Sequence, residues 1–305
     1  MNWKIKKFFC NLIALPGFSR TQRRRIRDRL MFHNFIMDTN VDFFTTPSKP
    51  NKIKTKINIA FCSDKRGVNL AAVAIKSLLN VSQNKCDYNI YCVIDPDVTA
   101  KERKSLSSLV DGTQSTITFL KPNHDFDKSY LCRWTRAIYY RTMLPKLLPN
   151  VDKIIYADID IIFCNDLIEA NNIDMGKNYI AGVKTFNNGY INSGFLIMNL
   201  KQIRKDGLYE KWLDASRKKR WPNPDQDLLN YTCRGRILYL PLKYNFQPMD
   251  GANIYKYHTA QEINDIKYHL NILHFSNWMK PWHAKNKRPI FSELWWKHAV
   301  QTGLW

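Results

Sequence analysis

The sequence predicts an α/β fold built on a largely parallel, helix-covered sheet, and three observations carry that prediction. From residue 57 onward, short runs rich in β-branched and aromatic residues alternate with helical runs. Residues 153–166, KIIYADIDIIFCND, form an apolar run containing Ile154, Ile155, Ile161, Ile162 and Phe163, the composition of a buried strand. A chain of 305 residues with 45% hydrophobic content can bury a full core, as one large domain or two smaller ones.

The chain opens on a basic arm. Residues 1–57 hold thirteen Lys and Arg against Asp28, Asp38 and Asp42, close to half of the formal charge of +21. Such an arm seeks phosphate, on nucleic acid or on an anionic membrane surface. Trp3, Ile5, Phe8, Phe9, Leu12 and Ile13 alternate with lysines until Pro16-Gly17 ends the pattern, which suits an interfacial segment. Thr21 caps a second, arginine-rich helix, read either as a membrane-surface element or as a solvated helix on its own domain. A linker over 47–56 follows. The apolar part of residues 1–18 is short, is interrupted by Asn11 and lacks an A-x-A site, so a secretion signal is not expected.

The folded part starts with a strand over 57–63, the polar turn Asp64-Lys65-Arg66-Gly67 and a helix over 68–79. That is the usual opening of an α/β nucleotide-binding unit, although neither a G-x-G-x-x-G nor a G-x-x-x-x-G-K-[ST] pattern is present. Strands over 88–94 and 115–120 enclose a helix over 98–110. A helix over 130–148 carries Arg133, Arg136 and Arg141, whose guanidinium forks suit a diphosphate, with Trp134, Ile138, Leu144 and Leu147 as its core side. After the acidic run come a strand over 179–183, a turn at Asn187-Asn188-Gly189, and Asn192-Ser193-Gly194 leading into an apolar strand. Small polar residues there let the backbone approach a ligand closely. Pro222-Asn223-Pro224 stops a basic helix, and Asp225-Gln226-Asp227 opens the next. Strands at 238–240 and 272–275 precede a tail holding Trp295, Trp296 and Trp305, which suits a membrane interface or a helix packed on the domain. The chain so divides into a basic extension (1–56), a principal domain (57–283) and an aromatic amphipathic tail (284–305).

Two residues apart in a strand, Asp158 and Asp160 point to one face and share a potential ligand. Carboxylates beside an apolar core cost several kcal/mol unless a cation compensates them, so a divalent metal is one explanation and a solvated strand end the other. Taken alone, His274 reads more readily as a core histidine than as a ligand. Seven cysteines with no C-x-x-C pair suggest neither a disulfide framework nor a zinc site, and fit a reducing, cytosolic setting. No window approaches the roughly 18 apolar residues of a spanning helix.

The ordered blocks YADIDII, INSGFLIMNL, DQDLLNY, LKYNFQ and HFSNWMKPWH, over about residues 57–283, resemble glycosyltransferase family eight, which includes glycogenin and bacterial lipopolysaccharide galactosyl- and glucosyltransferases. The resemblance implies a GT-A fold, a mixed, mainly parallel sheet flanked by helices, with the donor nucleotide in its first half and the acceptor in its second. It implies that Asp158, Asp160 and His274 ligate Mn²⁺ or Mg²⁺ at the donor diphosphate. By the same resemblance Lys280 contacts the diphosphate, Arg141 lies near the donor and Asp64 reads the uracil or ribose. Asn192 and Gln226 then sit by the sugar and its anomeric carbon, with Asp225 on the sugar hydroxyls. An amide is a poor nucleophile, so retention by front-face substitution is expected rather than double displacement. The implied reaction moves galactose or glucose from a UDP-sugar to a saccharide, as in lipopolysaccharide, capsule or other lipid-linked glycans, at the cytoplasmic face of a membrane. The turn Lys65-Arg66-Gly67 and Lys184 depart from the residues that relatives usually carry there. A nucleotide-sugar hydrolase is the alternative that shares this donor site. A basic nucleic-acid-binding protein is a further alternative, but it leaves the acidic strand unexplained, so no nucleic-acid partner is expected.

Overall fold

Alternating burial builds the sheet. The computed structural model describes residues 55–83, 85–132, 134–185, 189–247, 259–276, 280–283 and 291–305. Its first strand, β1 (Thr55–Ser63), sends Ile57, Ile59 and Phe61 into one core layer and Ala60 and Cys62 into the other. That period of two is what a strand buried on both faces requires. The basic arm and its two expected helices lie outside the described residues.

The chain continues through α1 (Val68–Ser82), β2 (Cys86–Ile94), α2 (Ala100–Ser107), β3 (Thr116–Leu120), α3 (Tyr140–Leu147) and β4 (Lys153–Ala157). Next come β5 (Ile161–Phe163), α4 (Ile168–Asn172), β6 (Ile180–Val183), β7 (Phe195–Asn199), α5 (Leu200–Lys205), α6 (Leu208–Lys218) and α7 (Pro224–Thr232). The last elements are β8 (Ile237–Leu240), α8 (Ala260–His269), β9 (Ile272–His274) and α9 (Ser292–Val300). Among the described residues, seven strands form one sheet in the order β3-β2-β1-β4-β7-β6-β8. In it β7 runs antiparallel to β4 and β6, and the other pairings are parallel. Core residues of α1 and α9 cover one face, those of α3, α6 and α7 the other. The largely parallel, covered sheet expected from the sequence is therefore present.

Two elements differ from expectation. The run 153–166 is two strands, not one: β4 belongs to the large sheet, and β5 pairs antiparallel with β9 in a separate ribbon. The chain leaves the sheet where the Asp158 amide donates to the Gly194 carbonyl at 2.8 Å. Both halves are apolar, so composition carries no sign of the break. The helix expected over 130–148 also begins late, with a 3-10 turn at Arg136–Tyr139 ahead of α3. One bond within the stretch and one to distant chain hold it in a non-helical path: the Tyr139 hydroxyl donates to the Tyr130 carbonyl (3.0 Å) and the Cys132 thiol to the Trp221 carbonyl (3.3 Å). Trp134, expected in the core, is 42% exposed as a result.

The aromatic residues near the end of the chain lie on the domain. Trp295 is fully buried, with the rings of Trp282, Trp296 and Trp305 within 5.2 Å of its own, centroid to centroid. The Asn80 amide on α1 donates to Gln301 at 2.7 Å. Of the two readings offered for these tryptophans, packing on the domain describes Trp295. The six described cysteines are free thiols, and no described helix is long and apolar enough to cross a membrane.

Candidate active site

The carboxyl ends of β1, β2 and β4 and the start of the reversed β7 share one edge of the sheet, where open α/β sheets take their ligands. Asp64, Asp95, Asp158 and the Asn192-Ser193-Gly194 turn follow or precede those strands directly. Sheet register therefore gathers residues that the sequence scatters over 130 positions.

Asp158 and Asp160 meet through a turn, not through strand alternation. Ile159 between them lodges against Gly67, where a Cβ would lie 2.4 Å from its Cδ1. Gly67 of the unusual Lys65-Arg66-Gly67 turn thus has a steric role. Antiparallel pairing sets Ile161 opposite His274, and the Phe275 amide donates to the Asp160 carbonyl at 2.9 Å. His274 is thereby carried to the acids, its Nε2 lying 3.1 Å from Asp160 Oδ1 and 3.8 Å from Asp158 Oδ2. Gly194 makes room, because a Cβ there would fall 2.2 Å from His274 Cε1.

One ligand atom from each of Asp158, Asp160 and His274 falls within 4.8 Å of the others. Two carboxylates and one imidazole suit a hard divalent ion such as Mn²⁺ or Mg²⁺. Lys280 Nζ closes the group, 2.5 Å from Asp160 Oδ2 and 2.5 Å from the Phe275 carbonyl. Burial works to raise the Asp160 pKa, but Lys280 and His274 outweigh it and hold the carboxyl well below its ordinary range.

Arg141 links this group to the next. It is 6% exposed, with Nη2 2.9 Å from Asp158 Oδ1 and Nη1 3.0 Å from Asp225 Oδ2. Its plane lies over the Tyr156 ring at 4.3 Å, and its buried Nε has no hydrogen-bond partner. Burial opposes its charge, yet Asp158 and Asp225 raise the guanidinium pKa above the ordinary value. Burial also pushes the Asp225 carboxyl up, with Arg141 pulling the other way.

Beyond Arg141 lies a polar network. The Ser193 hydroxyl donates to Asp225 at 2.8 Å. Gln226 Oε1 accepts from both Asn192 Nδ2 and the Ser193 amide, each at 3.0 Å, and its Nε2 donates to the Tyr190 hydroxyl at 3.1 Å. The Tyr190 hydroxyl in turn donates to Asp227. Asn245 joins this network to the group of Asp158, Asp160 and His274, donating to Asn192 Oδ1 at 2.8 Å while its own Oδ1 lies 2.8 Å from His274 Nδ1.

The structure brings together Asp158, Asp160, His274, Lys280, Arg141, Asn192, Asp225 and Gln226. Asp64 stands apart at the end of β1, where it accepts from the Gly67 amide (3.1 Å) and pairs with Arg66 (2.9 Å). Arg136, expected to reach a diphosphate beside Arg141, is exposed and pairs with Asp127 at 3.0 Å, and Arg133 lies outside the described residues. Lys184 sits over the Tyr239 ring at 4.3 Å. Sequence reasoning gave no role to Tyr190, Asp95 and Asn245, and took Ser193 only as part of a turn open to a ligand. Asp95 follows β2 and receives the Tyr140 hydroxyl, and burial raises its pKa. Its position after a strand that pairs with β1 was the available signal.

Comparison with known proteins adds a family to this fold. The family model described as Glycosyl transferase family 8 matches residues 58–286. A putative glycosyltransferase of Haemophilus influenzae is 26% identical over 259 residues, covering 75% of this chain and 74% of that protein. A lipopolysaccharide 1,2-glucosyltransferase of Escherichia coli K12 is 25% identical over 280 residues, covering 82% and 79%. Among solved structures, the galactosyltransferase LgtC in complex with donor and acceptor sugar analogues superposes with a TM-score of 0.68 at 22% identity, over 80% of this chain and 96% of that one. That likeness establishes the GT-A fold.

Proposed function

The chain belongs to glycosyl transferase family 8 and is a glycosyltransferase, and from that premise we propose that it is a retaining, metal-dependent hexosyltransferase using a UDP-sugar. The observation that carries the proposal is the convergence of two acids and a histidine on one point, joined by side-chain hydrogen bonds to Gln226. Mn²⁺ or Mg²⁺ bound by Asp158, Asp160 and His274 would supply positive charge to the donor diphosphate. Lys280 adds an ammonium beside that point, able to exchange Asp160 for a phosphate oxygen.

Arg141 acts differently. With one arm on Asp158 and the other on Asp225, it fixes both carboxylates. Gln226 Oε1 already accepts two hydrogen bonds, which leaves no lone pair for attack on the anomeric carbon. Asp225, 4% exposed and bound to Arg141 and Ser193, is equally ill placed as a nucleophile. Both facts favour front-face substitution. In that reaction the bond from the anomeric carbon to the leaving UDP oxygen breaks and the acceptor oxygen bonds on the same face. The acceptor's proton passes to the departing diphosphate. Asn192, Gln226 and Asp225 hold the sugar, and Asp64 with Asp95 faces the nucleoside.

Galactose or glucose is the expected hexose, and a lipid-linked saccharide the expected acceptor, a reading supported by the likeness to the lipopolysaccharide 1,2-glucosyltransferase of Escherichia coli. To test it, the protein is incubated with Mn²⁺ and a panel of nucleotide sugars, with and without saccharide acceptors, and the products are identified by mass spectrometry and anomeric NMR. Transfer with retained configuration is expected. Free hexose and UDP in equal amounts, whatever the acceptor, would instead establish a hydrolase.

The basic arm is proposed to hold the enzyme peripherally at the anionic, cytoplasmic face of a membrane, since Trp295 is occupied inside the domain. Flotation with anionic liposomes at low salt is expected. Full-length protein left at the bottom of the gradient would remove the membrane from the proposal.

A further inference from the structure

We propose that Asn245 is a positioning residue that sets the tautomer of His274 and ties the ion-binding group to the amides beneath the sugar. The inference rests on the metal and donor assignments above and adds to them a mechanism of coupling. Asn245 is 1% exposed and follows the 3-10 turn Leu242–Tyr244. Its place is set by the backbone, for the Phe246 amide donates to Ile272 at 3.0 Å and the His274 amide to Phe246 at 2.8 Å. Asn245 and His274 are therefore locked side by side before any side chain is considered.

The orientation of every amide in the network follows from two backbone N–H groups, which can only donate. The Gly194 amide donates to Asn192 Oδ1 at 2.9 Å, which fixes that atom as an acceptor. The Asn245 atom 2.8 Å from the same oxygen must then be its NH₂ group. Its carbonyl oxygen consequently faces His274 Nδ1 at 2.8 Å, and an oxygen only accepts, so the imidazole carries its proton on Nδ1. Nε2, 3.1 Å from Asp160 Oδ1 and 3.8 Å from Asp158 Oδ2, is thereby the nitrogen that would give its lone pair to an ion held between the acids. On the other side, the Ser193 amide donates to Gln226 Oε1, so Asn192 must present its NH₂ group to that oxygen, the same orientation that Gly194 demands. Flipping Asn245 would set oxygen against oxygen at 2.8 Å and leave two buried polar groups unsatisfied.

Only an amide serves both neighbours. A carboxylate in its place accepts from Nδ1–H but has nothing to donate to Asn192. An alanine does neither. The two substitutions accordingly separate the two roles.

The test measures Mn²⁺-induced thermal stabilisation without donor, and kcat and KM for donor turnover, in the wild type, Asn245→Asp and Asn245→Ala. Asn245→Ala is expected to weaken the apparent Mn²⁺ affinity by about 10–100-fold, the usual effect of losing the partner that orients a ligating histidine. Asn245→Asp is expected to keep that affinity within about 3-fold, because the acceptor for Nδ1–H remains. Its kcat is expected to fall about 10-fold or more with a smaller change in KM, because Asn192 and Gln226 lose their fixed orientation. The metal-free melting temperature of each variant separates misfolding from these effects. Unchanged Mn²⁺ affinity in Asn245→Ala, wild-type kcat in Asn245→Asp, or equal losses of both quantities in the two variants would overturn the proposal. A wild type that Mn²⁺ does not stabilise would overturn the metal assignment as well, so the two failures are distinguishable.

Discussion

Replacing Asp160 with alanine is expected to lower donor turnover by about 10²–10³-fold or more and to abolish stabilisation by Mn²⁺. Asp160 gives one oxygen to His274 and the other to Lys280, and those two groups hold it ionised against the effect of burial. Its loss leaves Asp158 and His274 as a two-ligand remnant of the group. It also releases Lys280 from its partner in the domain. The backbone need not suffer, since the contact at that position is made by the Asp160 carbonyl to the Phe275 amide. Far-UV circular dichroism is therefore expected to stay close to wild type, while the metal-free melting temperature falls because Lys280 loses its carboxylate in a largely buried site. A variant that turns over the donor with full Mn²⁺ dependence would refute the assignment of the ion to this cluster.

Replacing Arg141 with methionine is expected to destabilise the fold by about 3–5 kcal/mol, the range found when one partner is removed from a buried ion pair. The apolar stem of the side chain is largely kept by this change, while the guanidinium is lost with its charge and its donors. Asp158 and Asp225 then face one another without compensation, and burial already presses Asp225 toward its neutral form. The Ser193 carbonyl, which accepts from Nη1 at 2.8 Å, loses its donor too. Chemical denaturation measures the effect. A loss below about 1 kcal/mol would mean that Arg141 contributes little beyond an exposed surface pair. Activity is expected to fall with stability, because the same guanidinium arranges the metal-side and sugar-side acids.

Much of this was legible in the chain, though not always for the right local reason. The strand expected over 57–63 is present as β1, whose alternation puts Ile57, Ile59 and Phe61 in one core layer. Asp158 and Asp160 stood out because charge in an apolar run is costly, and they do converge, but through a turn that leaves the sheet. Arg141 drew notice as a phosphate ligand among three arginines. It proved to be a bridge between acids, while Arg136 faces solvent. Asn245 lay inside the LKYNFQ block but drew no role of its own, since an asparagine after a tyrosine has no periodicity and no charge to mark it. The tryptophans near the end of the chain were open to two readings. Trp296 donates its indole N–H to the Pro281 carbonyl at 3.0 Å, beside Lys280, so part of that aromatic segment braces the site.

By itself the sequence determined the layer structure and the residue types available for chemistry. Burial alternates with the backbone repeat, so a local pattern suffices to report it. The same holds for acids in an apolar run and for a basic arm. Only the tertiary structure decided which of those residues meet. The bonds from Asn245 to His274 and from Asn192 to Gln226 join positions 29 and 34 apart, and that from Lys280 to Asp160 spans 120. Contacts of that separation depend on strand register and on the direction of one reversed strand, and neither leaves a mark within any short window of residues.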